Sequence, residues 1–238
     1  ANFFLGMGMA FTHQYRFAAA ESVSKDKVPR AISIILLGGI VSAFIGPSVA
    51  NFSKDLFSNH MYIGSYLSLA ALTFLPTIFF LFYKNTSKIE LSFKYSGRSY
   101  LELVSQPRFL QAVISSAFGY AIMTFLMTGT PLSMHVIEGI SLNKTSIVIQ
   151  IHVACMFLPS LIAGNLVKKI GHSKMMYVGV GLYCITVVIS LFDQSFLNYM
   201  LALVFLGFGW NFLFISGTSL LVLTYKEEEK YRAQGFND

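Results

Sequence analysis

Charge is what this chain has least of. Asp, Glu, Lys and Arg together make up 12% of its 238 residues, where soluble globular domains carry roughly 25%. Hydrophobic residues make up 55%, Phe alone occurs 23 times, and the mean hydropathy is +0.63. One water-soluble core of this size has no room for so many apolar side chains. The composition calls for a bilayer as solvent. Cysteine is scarce too: Cys155 and Cys184 both fall inside apolar runs. A thiol there behaves as a small hydrophobe, so neither a disulfide framework nor a redox pair is expected.

Other absences remove whole classes of chemistry. No glycine-rich loop ending in Lys is present to cradle a nucleotide phosphate, which leaves an ATP-driven pump without its motor. No His and carboxylate stand at helical ligand spacing deep in an apolar run, so no metal site is expected, and no cofactor. No nucleophile with an adjacent base stands out, so an enzyme is not expected. The eleven acidic residues all lie between apolar runs or at their ends. The net charge of +6 is spread between those runs rather than along one face. That distribution argues against nucleic acid as a partner and for loop charges that orient a membrane protein.

A membrane-spanning helix needs about 20 mostly apolar residues. Seven stretches qualify: 1–21, 31–50, 60–83, 109–134, 144–167, 174–192 and 197–224. The first is the weakest, because His13, Gln14 and Arg16 interrupt it. One set of intervening loops holds Lys25, Lys27 and Arg30, then Lys84, Lys88, Lys94, Arg98 and Arg108, then Lys168, Lys169 and Lys174, then Lys226, Lys230 and Arg232. The opposite loops hold only Lys54 and Lys144. The bias alternates at every crossing, as positive-inside orientation demands. It places the first residue outside and the last in the cytoplasm. Ala1 opens within an apolar stretch and Asp238 follows a charged loop, which is expected of an internal fragment. In the long cytoplasmic loop, 99–104 has the makings of a short interfacial helix.

Three motifs give these spans an identity. The second span reads Gly38-Gly39, then Ser42-Ala43-Phe44-Ile45-Gly46-Pro47-Ser48-Val49-Ala50. Gly38, Ser42, Gly46 and Ala50 fall at four-residue spacing, a small-residue face that another helix can approach closely. Pro47 removes a backbone donor and bends the helix. After the fifth span comes Gly164-Asn165-Leu166-Val167-Lys168-Lys169-Ile170-Gly171-His172-Ser173-Lys174. The last span carries Gly207-Phe208-Gly209-Trp210-Asn211-Phe212-Leu213-Phe214 and runs into Tyr225 to Gly235.

In order, spacing and side, the chain resembles the major facilitator transporters, in a largely uncharacterised bacterial branch. The Gly-Pro stretch is similar to the fifth-helix motif of that family, with Ser42 replacing its first Gly. The 164–174 loop is similar to the second-half copy of the family's cytoplasmic loop motif. There Gly164, Lys169, Gly171 and Lys174 match in kind, and Lys168 stands where the family usually has Asp. The resemblance implies an all-α integral membrane fold, with these seven transmembrane helices being helices four to ten of a twelve-helix bundle. Residues 1–83 then end the N-terminal six-helix half, 84–108 form the cytoplasmic linker, and 109–238 begin the C-terminal half. Ser42, Gly46, Pro47, Gly164, Lys168, Lys169, Gly171 and Lys174 become gating positions.

By the same resemblance the first, fourth and seventh spans line the central cavity. The first carries His13 and Arg16, three residues apart and so on one helix face. Charged groups inside a membrane are costly and face a polar cavity or a partner such as Glu21. The fourth carries Tyr120, Thr124 and Thr128, continued by Pro131 and His135, at helical spacing. The seventh carries Trp210, Asn211, Phe214 and Thr218. The substrate-cavity set is therefore His13, Arg16, Tyr120, Thr124, Thr128, Trp210, Asn211 and Thr218.

The implied function is secondary transport of a small solute by alternating access, in the plasma (cell inner) membrane. The expected partners are the solute, the lipid bilayer and protons as coupling ion, and a monomer is expected. A seven-helix receptor or sensor is the alternative, but the last span has no Lys before Lys226 to hold a retinal. With no carboxylate deep in a span, proton coupling within this stretch falls to His13 or His152. If His13 carries it, His13→Gln flattens the pH dependence of uptake; an unchanged pH profile moves the coupling elsewhere.

Overall fold

The computed structural model describes residues 2–58, 60, 62–82 and 97–238. Every regular element among them is helical. In chain order these are α1 (Asn2–Glu21), α2 (Val28–Ser53), α3 (Ile63–Phe80), α4 (Tyr100–Val104), α5 (Pro107–Leu132), α6 (Leu142–Phe157), α7 (Ser160–Ile170), α8 (His172–Ser190), α9 (Phe196–Val222) and α10 (Lys230–Asn237). A π-helical turn, Ser133–Ile137, closes α5 just after Pro131.

Local chemistry sets many of the ends. Pro107 opens α5 at a position where its missing N–H is no loss. Ser99 and Glu102 form a reciprocal capping box on α4, which gives the 99–104 segment its single helical turn. Residues 84–96 of the expected linker lie outside the described residues.

Among the described residues, five stretches are long and apolar enough to cross a membrane: Lys25–Ser53, Pro107–Ile137, Leu142–Ile170, His172–Ser190 and Phe196–Val222. α1 has 20 residues but carries His13, Gln14 and Arg16. The described apolar part of α3 is short, Ile63–Pro76. The expected span 144–167 is two helices, α6 and α7, meeting at Leu158 and Pro159. The cause is Pro159, which has no N–H to donate and whose ring crowds the carbonyl four residues earlier.

The chain divides into two compact units, 1–41 with 96–238, and 42–95. In the smaller one, the Ser65 hydroxyl donates to the Ala50 carbonyl at 2.7 Å, tying α3 to the end of α2. Gly46 and Ala50 are exposed along α2, and Pro47 lies inside it.

In the larger unit α9 is the central rod, packed against α5, α6 and α8. It is buried almost without interruption from Trp210 to Leu221. Small residues permit this: a Cβ on Gly179 would stand 3.0 Å from the Gly209 carbonyl oxygen, and the reverse holds at the same distance. Outward-facing side chains elsewhere are large and apolar, with Phe118, Phe125, Val187 and Phe192 each more than half exposed. Such a surface suits lipid and is wrong for water.

One ionic clamp lies beyond the spans. Glu229, 2% exposed, receives Arg98 Nε at 2.7 Å and Arg98 Nη2 at 2.6 Å. The backbone N–H groups of Arg98 and Lys226 donate to the same carboxylate, each at 2.9 Å. Arg98 also reaches the Thr224 carbonyl at 3.0 Å. The segment before α4 is thereby fastened to the loop after α9. The Arg98 guanidinium holds the Glu229 carboxyl at about 2, far below its ordinary 4.5. A depressed folded-state value means that the stabilisation is complete above pH 4.5 and is lost as pH falls towards 2. Glu229→Gln is expected to lower stability at pH 7 by about 2 kcal/mol. Thermal unfolding of the solubilised protein from pH 7 to pH 3 checks this, and the gap between wild type and variant should narrow as the pH falls.

Candidate functional site

The larger unit has a half-open cavity of about 410 Å³, within the range of small-ligand sites. α1 presents His13, Gln14 and Arg16 to it, α5 presents Ser116 and Tyr120 one turn apart, and α9 presents Phe214. Asn237 and Asp238, at the end of α10, close the lining.

Arg16 is the centre of this site. It is 4% exposed, so its charge needs compensation inside the protein. Its Nη2 pairs with the Asp238 carboxylate, and Gln14 Nε2 donates to the other Asp238 oxygen at 2.6 Å. The guanidinium lies over the rings of Phe17 and Phe214, at 4.6 and 4.7 Å from their centroids. Cations over aromatic faces gain from the ring quadrupole. Arg16 Nη1 meets His13 Nδ1 at 3.1 Å. A guanidinium only donates, so Nδ1 accepts and a neutral His13 carries its proton on Nε2. That nitrogen stands 3.4 Å from the Tyr120 hydroxyl. Protonating Nδ1 would break the bond to Arg16 and set two cations face to face.

An aromatic wall backs the polar cluster. Trp210 and Phe214, one turn apart on α9, stack with centroids 4.7 Å apart at 14°. Tyr120 and Phe157 each meet Trp210 edge-on at 5.8 Å. The cavity thus offers hydrogen-bond donors together with the Tyr120 and Phe214 side chains, and Trp210 stands behind Phe214 rather than in the lining. Such a set binds and orients; among the described residues no three or more of His, Cys, Asp and Glu gather to hold a metal ion.

The structure brings His13, Arg16, Tyr120 and Trp210 into one cluster. The remaining cavity candidates stand elsewhere. Thr124 and Thr128 are exposed on α5, outside the lining. Asn211 is fully buried and donates to the Met156 carbonyl and the Ser160 hydroxyl, both at 2.7 Å, bracing the break at Pro159. Thr218 is fully buried within α9. His152, also fully buried, bonds through Nδ1 to the Leu203 carbonyl at 2.8 Å.

The loop motif has clear local reasons. Gly171 ends α7 at φ 87° and ψ 159°, a region essentially reserved for glycine. A Cβ on Gly164 would stand 2.8 Å from Arg30 Cα, so only glycine lets α7 approach the start of α2 this closely. Lys168 pairs with Asp26 at 3.3 Å, with both side chains more than half exposed. Lys169 and Lys174 are exposed. Positive charge in the last turn of α7 complements its helix dipole.

Gln14, Asn237 and Asp238 had no signal at the level of sequence. Asp238 is 222 residues away from Arg16, and no local spacing connects them.

Comparison with known proteins agrees with this architecture. A family model described as Major Facilitator Superfamily matches residues 1–238. A riboflavin transporter, RfnT, of Brucella anthropi is 35% identical over 235 residues, which cover 98% of this chain and 59% of that protein. Two uncharacterized MFS-type transporters of Bacillus subtilis, YddS and YdeG, are 27% and 28% identical, again over 98% of this chain. The chain spans just under three-fifths of the length of these relatives. Matched along its whole length by the family model, the chain belongs to the Major Facilitator Superfamily.

Proposed function

We propose that this chain forms the middle of a secondary transporter that moves a small solute across the plasma membrane by alternating access. The observation that carries the reading is the cavity itself: a buried guanidinium, an imidazole and a phenol face it beside an aromatic wall. In this reading α1, α2, α3, α5, α6 with α7, α8 and α9 are seven spans, helices four to ten of a twelve-helix bundle. Residues 1–83 end one half, 84–108 link the halves and 109–238 begin the other. The basic loops, Lys168, Lys169 and Lys174 among them, face the cytoplasm, and the first residue lies outside. The carrier works as a monomer, with protons as coupling ion. No observation favours the receptor alternative.

His13, Arg16 and Tyr120 bind the solute, with Phe214, backed by Trp210, as its ring platform. Thr124 and Thr128 complete the path as α5 shifts. Ser42, Gly46 and Pro47 let α2 slide or bend, and Gly164 and Gly171 fix the cytoplasmic gate loop.

The relative named as a riboflavin transporter makes riboflavin the first solute to test. A flavin has a flat tricyclic ring to lie against Phe214, and ring carbonyls to accept from Arg16. Proteoliposomes carrying the full-length protein should take up riboflavin above protein-free vesicles. Arg16→Ala should abolish that uptake while leaving a folded, monodisperse protein, and normal flux through the Ala variant would remove Arg16 from the site. Tyr120→Phe is expected to weaken uptake several-fold, in line with the loss of one hydrogen bond worth about 1 kcal/mol.

A further inference from the structure

α1 and α10 meet through a ladder of polar contacts in antiparallel register. At one end Gln14 and Arg16 hold Asp238. At the other, Glu21 receives Gln234 Nε2 at 2.9 Å and Lys230 Nζ at 3.3 Å. Lys230, Gln234 and Asp238 recur every fourth residue, so α10 presents one polar stripe to α1. The two ends differ in surroundings. The Glu21 end stands away from the cavity, whereas Arg16 and Asp238 both line it.

Two further facts bear on the Arg16 end. Asp238 is the carboxylate that compensates Arg16. Arg16 Nε and Asn237 Oδ1 are buried with no hydrogen-bond partner, so a donor and an acceptor stand unused beside the ion pair. A buried guanidinium keeps a partner at all times, because leaving it bare is far costlier than exchanging one acceptor for another.

We propose that Asp238 is a built-in stand-in for the solute. Its carboxylate holds Arg16 in the solute-free carrier, and a carbonyl or anionic oxygen of the solute takes its place. The exchange releases the cavity end of the α1–α10 ladder, while the Glu21 end keeps the helices in register. Solute binding and the Arg16–Asp238 contact are then mutually exclusive uses of one cation, and by linkage each opposes the other. The solute class that works this switch is an aromatic ring system bearing an acceptor oxygen. A purely apolar ring gives Arg16 nothing in exchange and leaves the contact closed.

This inference rests on the cavity being the solute site, so its test needs one arm that is independent of solute. Both arms use the full-length carrier. In the first, riboflavin binding is followed by quenching of its fluorescence. Asp238→Asn, which keeps shape but removes the charge, should bind about tenfold tighter, the worth of one charge-assisted hydrogen bond. Asp238→Glu should stay near wild type. In the second arm, with Cys155 and Cys184 replaced by Ser, Ala117→Cys, at a position of α5 that lines the cavity beside Ser116, is labelled by a water-soluble maleimide without solute. Asp238→Asn should raise the labelling rate several-fold, and Asp238→Glu should not.

Weaker riboflavin binding in Asp238→Asn would make Asp238 a direct ligand and overturn the proposal. So would unchanged binding together with unchanged labelling, which would reduce the pair to a structural contact. If the wild type does not bind riboflavin, the substrate assignment falls and the labelling arm alone decides the switch: a raised rate sustains it and an unchanged rate overturns it.

Discussion

A guanidinium placed in a low-dielectric interior sets the terms for everything around it. Arg16 is almost fully buried, and the penalty for a bare ion there is several kcal/mol even after the protein relaxes. Its compensation comes from three parts of the chain. α1 supplies His13 and the Phe17 ring, α9 supplies the Phe214 ring, and α10 delivers Asp238. Remove that charge and α10 loses the contact that anchors its end, and His13 loses the donor that sets its tautomer. The cavity exists where these elements converge, which is why its polar side lies on α1 and its aromatic side on α9.

α9 can carry the aromatic wall because it is rigid and buried. Within a bilayer, packing is driven less by the hydrophobic effect than by close contact and interhelical hydrogen bonds. Glycines supply the close contact, and buried polar side chains, among them Asn211, His152 and Ser115, supply the hydrogen bonds. By donating to Met156 and Ser160, Asn211 binds α9 to the point where Pro159 interrupts its neighbour. A helix break in lipid is tolerable only where freed backbone groups find partners, and Asn211 is that partner here.

Two glycines and one exposed ion pair set the loop between α7 and α8. Gly164 and Gly171 stand where only glycine fits, for reasons of space in one case and backbone conformation in the other. Lys168 is faced by Asp26 across the gap to the segment before α2. Exposed on both sides, the pair contributes at most about 1 kcal/mol and is best understood as fixing which loop meets which. The buried clamp of Arg98 on Glu229 is the stronger fastening.

Much of this was legible in the residues alone. Scarce charge and abundant Phe demanded a bilayer, because composition fixes the solvent before any fold is chosen. The ends of α5, α8 and α9 lie within two residues of the spans drawn from hydropathy, since apolar length must match bilayer thickness. Gly164 and Gly171 were readable through the resemblance of their loop to a family motif, and the His13–Arg16 face through helical spacing. Tertiary structure alone decided the rest. It chose Asp238 rather than Glu21 as the partner of Arg16, placed Asn211 against a helix break instead of in the cavity lining, and gathered Trp210, Phe214 and Tyr120 into one wall. Those outcomes depend on contacts between residues far apart in the chain, and periodicity carries no information about which helix a face will meet.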